Sequence, residues 1–183
     1  MEADLGVMAG AAWTVPSGGA IGGAYDGGPL ARIGVVLRGR SRLQGLLTVG
    51  FHRETARPSH PVFAENVESR IRWIPVSLEG RYLLLDRKRS PYVSVGLGLW
   101  RLSETFEYRL AGEDFDASGS RTTLSGAFGF GMMLSDAPLP IRLGARVELS
   151  SLERRTLTSD GSTFDTGDSE LSTYFSFGLE VER

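Results

Sequence analysis

The sequence contains no cysteine, which excludes a disulfide framework, thiolate catalysis and zinc-thiolate sites together. It has one lysine, Lys88, and two histidines, His52 and His60. The formal net charge of -2 leaves no global basic field, so nucleic acid is not an expected partner. No window approaches the roughly 18 uninterrupted apolar residues of a membrane helix, and no segment sustains a 3.6-residue period between caps. A charged-then-apolar leader is also missing. An exported protein is made with one, so a mature form with a start Met added is expected.

What the sequence does have is period-2 alternation between turn-rich stretches, over 183 residues that suit one domain spanning 1–183. Eight strands are predicted, at about 3–13, 31–39, 42–54, 69–85, 91–103, 121–135, 140–152 and 171–182. In the seventh, Ile141, Leu143, Ala145, Val147 and Leu149 oppose Arg142, Gly144, Arg146, Glu148 and Ser150. In the eighth, Leu171, Thr173, Phe175, Phe177, Leu179 and Val181 oppose Ser172, Tyr174, Ser176, Gly178, Glu180 and Glu182. A one-residue slip would move every charge to the apolar face, so the register is well specified. In the fourth strand Ile71 and Trp73 fall out of phase with Val76, Leu78, Tyr82 and Leu84, and a bulge near Ile74-Pro75 is expected to reconcile them. The connections alternate long and short. Those near 14–30, 55–68, 104–120 and 153–170 are long; Arg40-Ser41, 86–90 and 135–139 are short.

Alternation alone does not say which face is inside. A soluble lipocalin-like carrier places its apolar face inward. Volume decides: eight strands enclose an interior only just wide enough for side chains. The Phe-, Leu-, Val- and Ile-rich face is too bulky for it, whereas the Gly-, Ser- and Ala-rich face fits. The reading is therefore all-β: an eight-stranded up-and-down antiparallel transmembrane β-barrel with short periplasmic turns, long extracellular loops and periplasmic termini. By parity Arg32, Arg38, Arg81, Arg142 and Arg146 point into the lumen, with Asp4, Glu54, Glu79, Glu148, Glu180 and Glu182. Arg142 and Arg146 fall at about the depth of Glu180 and Glu182. A charge-paired plug in the periplasmic half follows, because burying such ions singly costs several kcal/mol each. Trp13, Phe51, Trp73, Tyr82, Tyr92 and Trp100 lie near strand ends as candidates for interfacial girdles, although parity turns Tyr92 and Trp100 inward.

Three stretches carry a family likeness: Ile74-Pro75-Val76-Ser77-Leu78-Glu79-Gly80-Arg81-Tyr82, Pro91-Tyr92-Val93-Ser94-Val95-Gly96-Leu97-Gly98, and the closing strand. The chain resembles the small outer-membrane β-barrel proteins, the class of the outer-membrane protein A transmembrane domain, the X-type barrels and the Ail-like adhesins. That resemblance implies a bacterial outer-membrane location among lipid and lipopolysaccharide, assembly by the barrel-insertion machinery, and a scaffold or surface-binding role. Members usually end on an aromatic residue. This sequence ends on Arg183, with Phe175 and Phe177 earlier, so the terminal insertion signal departs from the pattern.

Two relatives of this architecture act on lipid A, which makes a lipid hydrolase or acyltransferase the alternative. His52 and Glu54 share a face, as a base and its orienting carboxylate would. The His-x-Ser pattern of the deacylase-like barrels is absent, and no enzyme activity is expected. The Gly-rich stretch Ser17-Gly18-Gly19-Ala20-Ile21-Gly22-Gly23 lacks the Gly-Lys-Ser/Thr ending of a phosphate loop, and no cofactor is expected. Acidic residues gather at Glu104, Glu107, Glu113, Asp114 and Asp116, and again at Asp160, Asp165, Asp168 and Glu170. Asp160, Asp165 and Asp168 are a weak candidate for a loop cation site; their spacing is not that of an EF-hand, and solvated loops are the expectation. A small-solute channel is a further reading, and the four long loops are where a surface ligand would bind.

Overall fold

Side chains that alternate in polarity suit strands with one face in each environment. The chain builds eight such strands into a closed barrel. In the computed structural model the described residues are 4–17, 25–39, 42–55, 67–85, 89–110, 113–134, 140–152, 155–159, 162–166 and 170–183. The strands are β1 (Asp4–Ser17), β2 (Gly28–Arg38), β3 (Leu43–Thr55), β4 (Val67–Leu83), β5 (Pro91–Leu110), β6 (Glu113–Met133), β7 (Ile141–Leu152), β8 (Arg155–Ser159), β9 (Ser162–Thr166) and β10 (Glu170–Glu182). Strands β1 to β7 pair antiparallel in sequence order, and β10 closes the ring between β7 and β1. The short pair β8–β9 is a hairpin that touches β6 at Ser118 opposite Thr158.

The stagger of the barrel is legible in its ladders. From Asp4 the paired residues run Arg38, Gln44, Arg81, Ser94, Gly129, Arg146, Ser176 and back to β1 at Thr14. One circuit climbs from Asp4 to Thr14, which is the shear that strand tilt imposes on a closed sheet.

Burial alternates along the barrel strands, and its sense settles the inside. Leu97 and Leu124 are 72% and 71% exposed, whereas Arg81 and Arg142 on the opposite face are each 1% exposed. An apolar band faces out all around the ring, including Leu5, Val7, Ile33, Leu47, Leu78, Val95, Phe128, Phe177 and Leu179. An outward belt of this extent calls for lipid. The soluble-carrier alternative needs the reverse arrangement and is ruled out by it.

Three expectations are corrected. There is no bulge at Ile74-Pro75: β4 keeps one register with β3 on one side and β5 on the other. Ile71 and Trp73 are inward residues of a straight strand, and Pro75, which lacks a ladder donor, also points inward and is buried. The connection at 104–120 is not a loop. Strands β5 and β6 stay paired from Ser103 opposite Ser120 up to Leu110 opposite Glu113. The 153–170 connection likewise contains the β8–β9 hairpin.

Candidate functional site

The lumen holds two layers. The lower one lies toward the short turns and the chain termini. Glu182 on β10 is fully buried and receives three arginines: Arg38 at 3.2 Å, Arg81 at 3.0 Å, and Arg142. Arg81 also donates to Glu180 at 2.5 Å and lies 3.8 Å from Glu79. Arg146 pairs with Glu79, and its Nε lies 2.5 Å from Glu148. Arg32 donates to Glu148 at 3.0 Å, and Arg38 to Asp4 at 3.3 Å near the rim. Arg142 also donates to Gln44 at 3.2 Å. The five arginines Arg32, Arg38, Arg81, Arg142 and Arg146 thus meet the five carboxylates of Asp4, Glu79, Glu148, Glu180 and Glu182. The cluster is electroneutral, which is what a low-dielectric interior demands of buried ions.

Arg142 reaches Glu182, whereas Arg146 turns to Glu79 and Glu148 and leaves Glu180 to Arg81. Glu54 stands apart from the cluster, on the far side of the second layer, with His52 as partner.

Tyr92 stacks on the cluster. Arg81 Cζ lies 4.6 Å from the Tyr92 ring centroid, a cation–π geometry. The ring finds room because its neighbours on β6 and β7 are glycines: a Cβ at Gly131 would stand 2.6 Å from Tyr92 Cζ, and one at Gly144 would strike the Tyr92 hydroxyl. Beside Tyr92 a cavity of about 40 Å³ is lined by Arg32, Glu79, Arg81, Ser94 and Arg146, room for a few waters only.

The upper layer is aromatic. Trp73 stands edge-on to Trp100 at 4.9 Å with an interplanar angle of 89°, and Tyr174 lies 4.9 Å from Trp73 and 5.1 Å from Trp100. Ile71, Leu102 and Tyr25 complete the cluster. Trp73, Tyr92 and Trp100 are therefore lumen residues and not girdle residues, while Trp13, Phe51 and Tyr82 are outward and exposed. Tyr25, just before β2, is fully buried in this layer and donates to Glu104 at 2.8 Å, with Ser69 at 2.6 Å. The sequence around Tyr25 carries no alternation that announces this buried position, and 14–30 reads as a long connection. The signal for the rest was present: Trp100 and Tyr174 share parity with the small lumen residues.

Beside the aromatics, His52 Nε2 lies 2.7 Å from Glu54 and Nδ1 lies 2.9 Å from the Pro29 carbonyl. Both ring nitrogens are engaged, and among the described residues no serine hydroxyl bonds to this imidazole. The pair lacks the free nitrogen with which a base activates a nucleophile. His60, Asp160 and Asp168 lie outside the described residues, and Asp165 is described only by its backbone pairing with Thr156. Among the described residues no group of three or more His, Asp and Glu is placed to hold a metal ion.

No family model and no curated protein sequence matches the chain. Solved structures do. Neisserial surface protein A is 17% identical over 99% of both chains, with a TM-score of 0.58. A major outer membrane protein of Thermus thermophilus is 12% identical over 98% of this chain and 100% of its own, with a TM-score of 0.66. Ail, the attachment invasion locus protein of Yersinia pestis, is 14% identical over the whole of both chains, with a TM-score of 0.54. At these identities the likeness is one of fold: the chain shares with these outer-membrane proteins a closed eight-stranded antiparallel barrel, here with an outward apolar belt.

Proposed function

We propose that the protein is a non-enzymatic barrel of the bacterial outer membrane whose lumen is closed and whose working surface is its long-loop end. The observation that carries this reading is the double closure of the lumen. An ion-paired layer and an aromatic layer lie in series, and the cavity beside Tyr92 holds only about 40 Å³. A pore needs a continuous wet path, and a narrow barrel filled by its own side chains does not offer one. The short turns and both termini face the periplasm, following the asymmetry of such barrels. The paired β5–β6 hairpin then projects outward as a firm support for surface contacts. The enzyme alternative has less support, since His52 is committed on both ring nitrogens.

The test is conductance. The refolded protein in a planar bilayer is expected to give silent traces under salt and voltage at which a wide porin conducts. Steady ohmic steps from pure, heat-modifiable protein would overturn the closed lumen. Hydrolysis or acyl transfer on lipid A that is lost in His52→Gln would overturn the non-enzymatic reading.

A further inference from the structure

Outward positions beyond the apolar belt carry a basic patch that the lumen chemistry does not use. Arg53 on β3, Arg72 on β4 and Arg101 on β5 share outward parity and are exposed. Arg53 stands directly opposite Arg72 in the ladder. Arg101 faces Ile74, one diagonal step from Arg72, whose own partner is Ser103. Side chains directly opposite lie about 4.5–5.5 Å apart at Cβ, where like charges destabilise a sheet. Among the described residues nothing relieves the repulsion, since no carboxylate there lies within ion-pair distance of these three. The nearby Glu107 is taken by Arg70, one outward step above Arg72, at 3.7 Å. Immediately below the three arginines, on the same strands and face, Phe51, Ile74 and Leu99 are exposed at 51%, 43% and 51%. Cationic forks thus sit at the upper edge of an acyl-facing surface, at the long-loop end, on three adjacent strands.

We propose that this rim binds the phosphates of an outer-leaflet glycolipid, with lipid A as the occupant. Guanidinium groups pair with phosphate oxygens in a bidentate manner, and one dianionic headgroup bridging Arg53 and Arg72 turns their repulsion into a shared contact. The acyl chains of the same molecule cover Phe51, Ile74 and Leu99. Free phosphate would satisfy only the arginines, and a zwitterionic phospholipid would offer one phosphodiester whose charge its own ammonium offsets. The inference rests on the outward orientation of the long loops proposed above.

The experiment titrates the refolded barrel, in neutral detergent, with bisphosphorylated lipid A and reads bound copies by native mass spectrometry. The triple variant Arg53→Gln, Arg72→Gln, Arg101→Gln is expected to bind at least about tenfold more weakly, the equivalent of one charge-assisted hydrogen bond. Arg89→Gln, at the short-turn end, is expected to bind like the parent. Lipid A stripped of its phosphates is expected to bind the parent as weakly as intact lipid A binds the triple variant. Equal binding by parent and triple variant would overturn the proposal. So would equal binding of the dephosphorylated lipid, or displacement of lipid A by equimolar inorganic phosphate or phosphatidylglycerol. Fast migration of unboiled protein on a denaturing gel establishes that the variant is folded, and if the triple variant fails that check, Arg72→Gln alone is read in its place for weakened binding. Orientation is measured separately by surface labelling, so failure of the topology and failure of the lipid site give different results.

Discussion

Glu182 accepts Arg38, Arg81 and Arg142 at once, with no measurable exposure, whereas Asp4 makes one 3.3 Å contact and its side chain is 76% exposed. The two carboxylates sit in one network, but water does most of the work for Asp4 and none of it for Glu182. Breaking a buried pair strands the partner charge, at a cost of about 3–5 kcal/mol, whereas an exposed pair contributes about 0–1 kcal/mol. Glu182→Gln is therefore expected to lower unfolding stability by about 3–5 kcal/mol, and Asp4→Asn by less than about 1 kcal/mol. Urea unfolding in detergent, followed by the fluorescence of the buried Trp73 and Trp100, measures both. Equal, small shifts would show that the lumen is wet at Glu182 and that the ion pairs there are screened.

At the scale of the strand, small residues on one element set the position of a large one on the next. Tyr92 on β5 pairs with Gly131 on β6, which pairs with Gly144 on β7. The ring lies across both, and a Cβ at Gly144 meets its hydroxyl. Gly144→Ala is expected to cost about 1–3 kcal/mol by overpacking. In a Tyr92→Phe background, where the obstructing oxygen is gone, the same change is expected to cost less, and a double-mutant cycle on urea midpoints reads the coupling. Additive costs would place the strain elsewhere, for instance at the Phe130 carbonyl 3.4 Å from the same Cβ. The strands also show what the sequence made legible. Within the belt one face meets lipid and the other a packed lumen, so β7 and β10 could be read almost residue by residue. Beyond the belt the outward positions turn polar, as at Arg72, Arg101 and Ser103, while Trp73, Trp100 and Leu102 turn inward, so the polarity pattern changes phase. That is why Glu104 to Ser120, rich in acids with low strand propensity, read as a loop, although ladder pairing carries it as a hairpin. Strand β4 misled for a related reason: Ile71 and Trp73 are apolar but belong to the aromatic layer inside, so polarity and parity part company there.

The whole molecule is asymmetric along its axis, and this asymmetry ties its parts into one orientation. The ion-paired layer, the short turns and both termini share one end. The aromatic layer with Tyr25, the β5–β6 hairpin and the outward arginines share the other. The absence of native cysteine permits a direct reading, because any thiol introduced is the only one present. Ser17, at the long-loop end of β1, and Arg89, between β4 and β5, are both exposed. In intact cells Ser17→Cys is expected to react with a membrane-impermeant maleimide, and Arg89→Cys only after the outer membrane is permeabilised. The reverse pattern would place the termini outside. The aromatic layer would then face the periplasm, and the Arg53–Arg72 rim would meet inner-leaflet headgroups. Labelling of both sites in intact cells would place the chain outside any membrane, against the demand of an apolar belt that runs around the whole barrel. Only labelling at Ser17 alone puts the arginine rim at the level of the outer-leaflet phosphates and leaves the loops free to meet a ligand from outside.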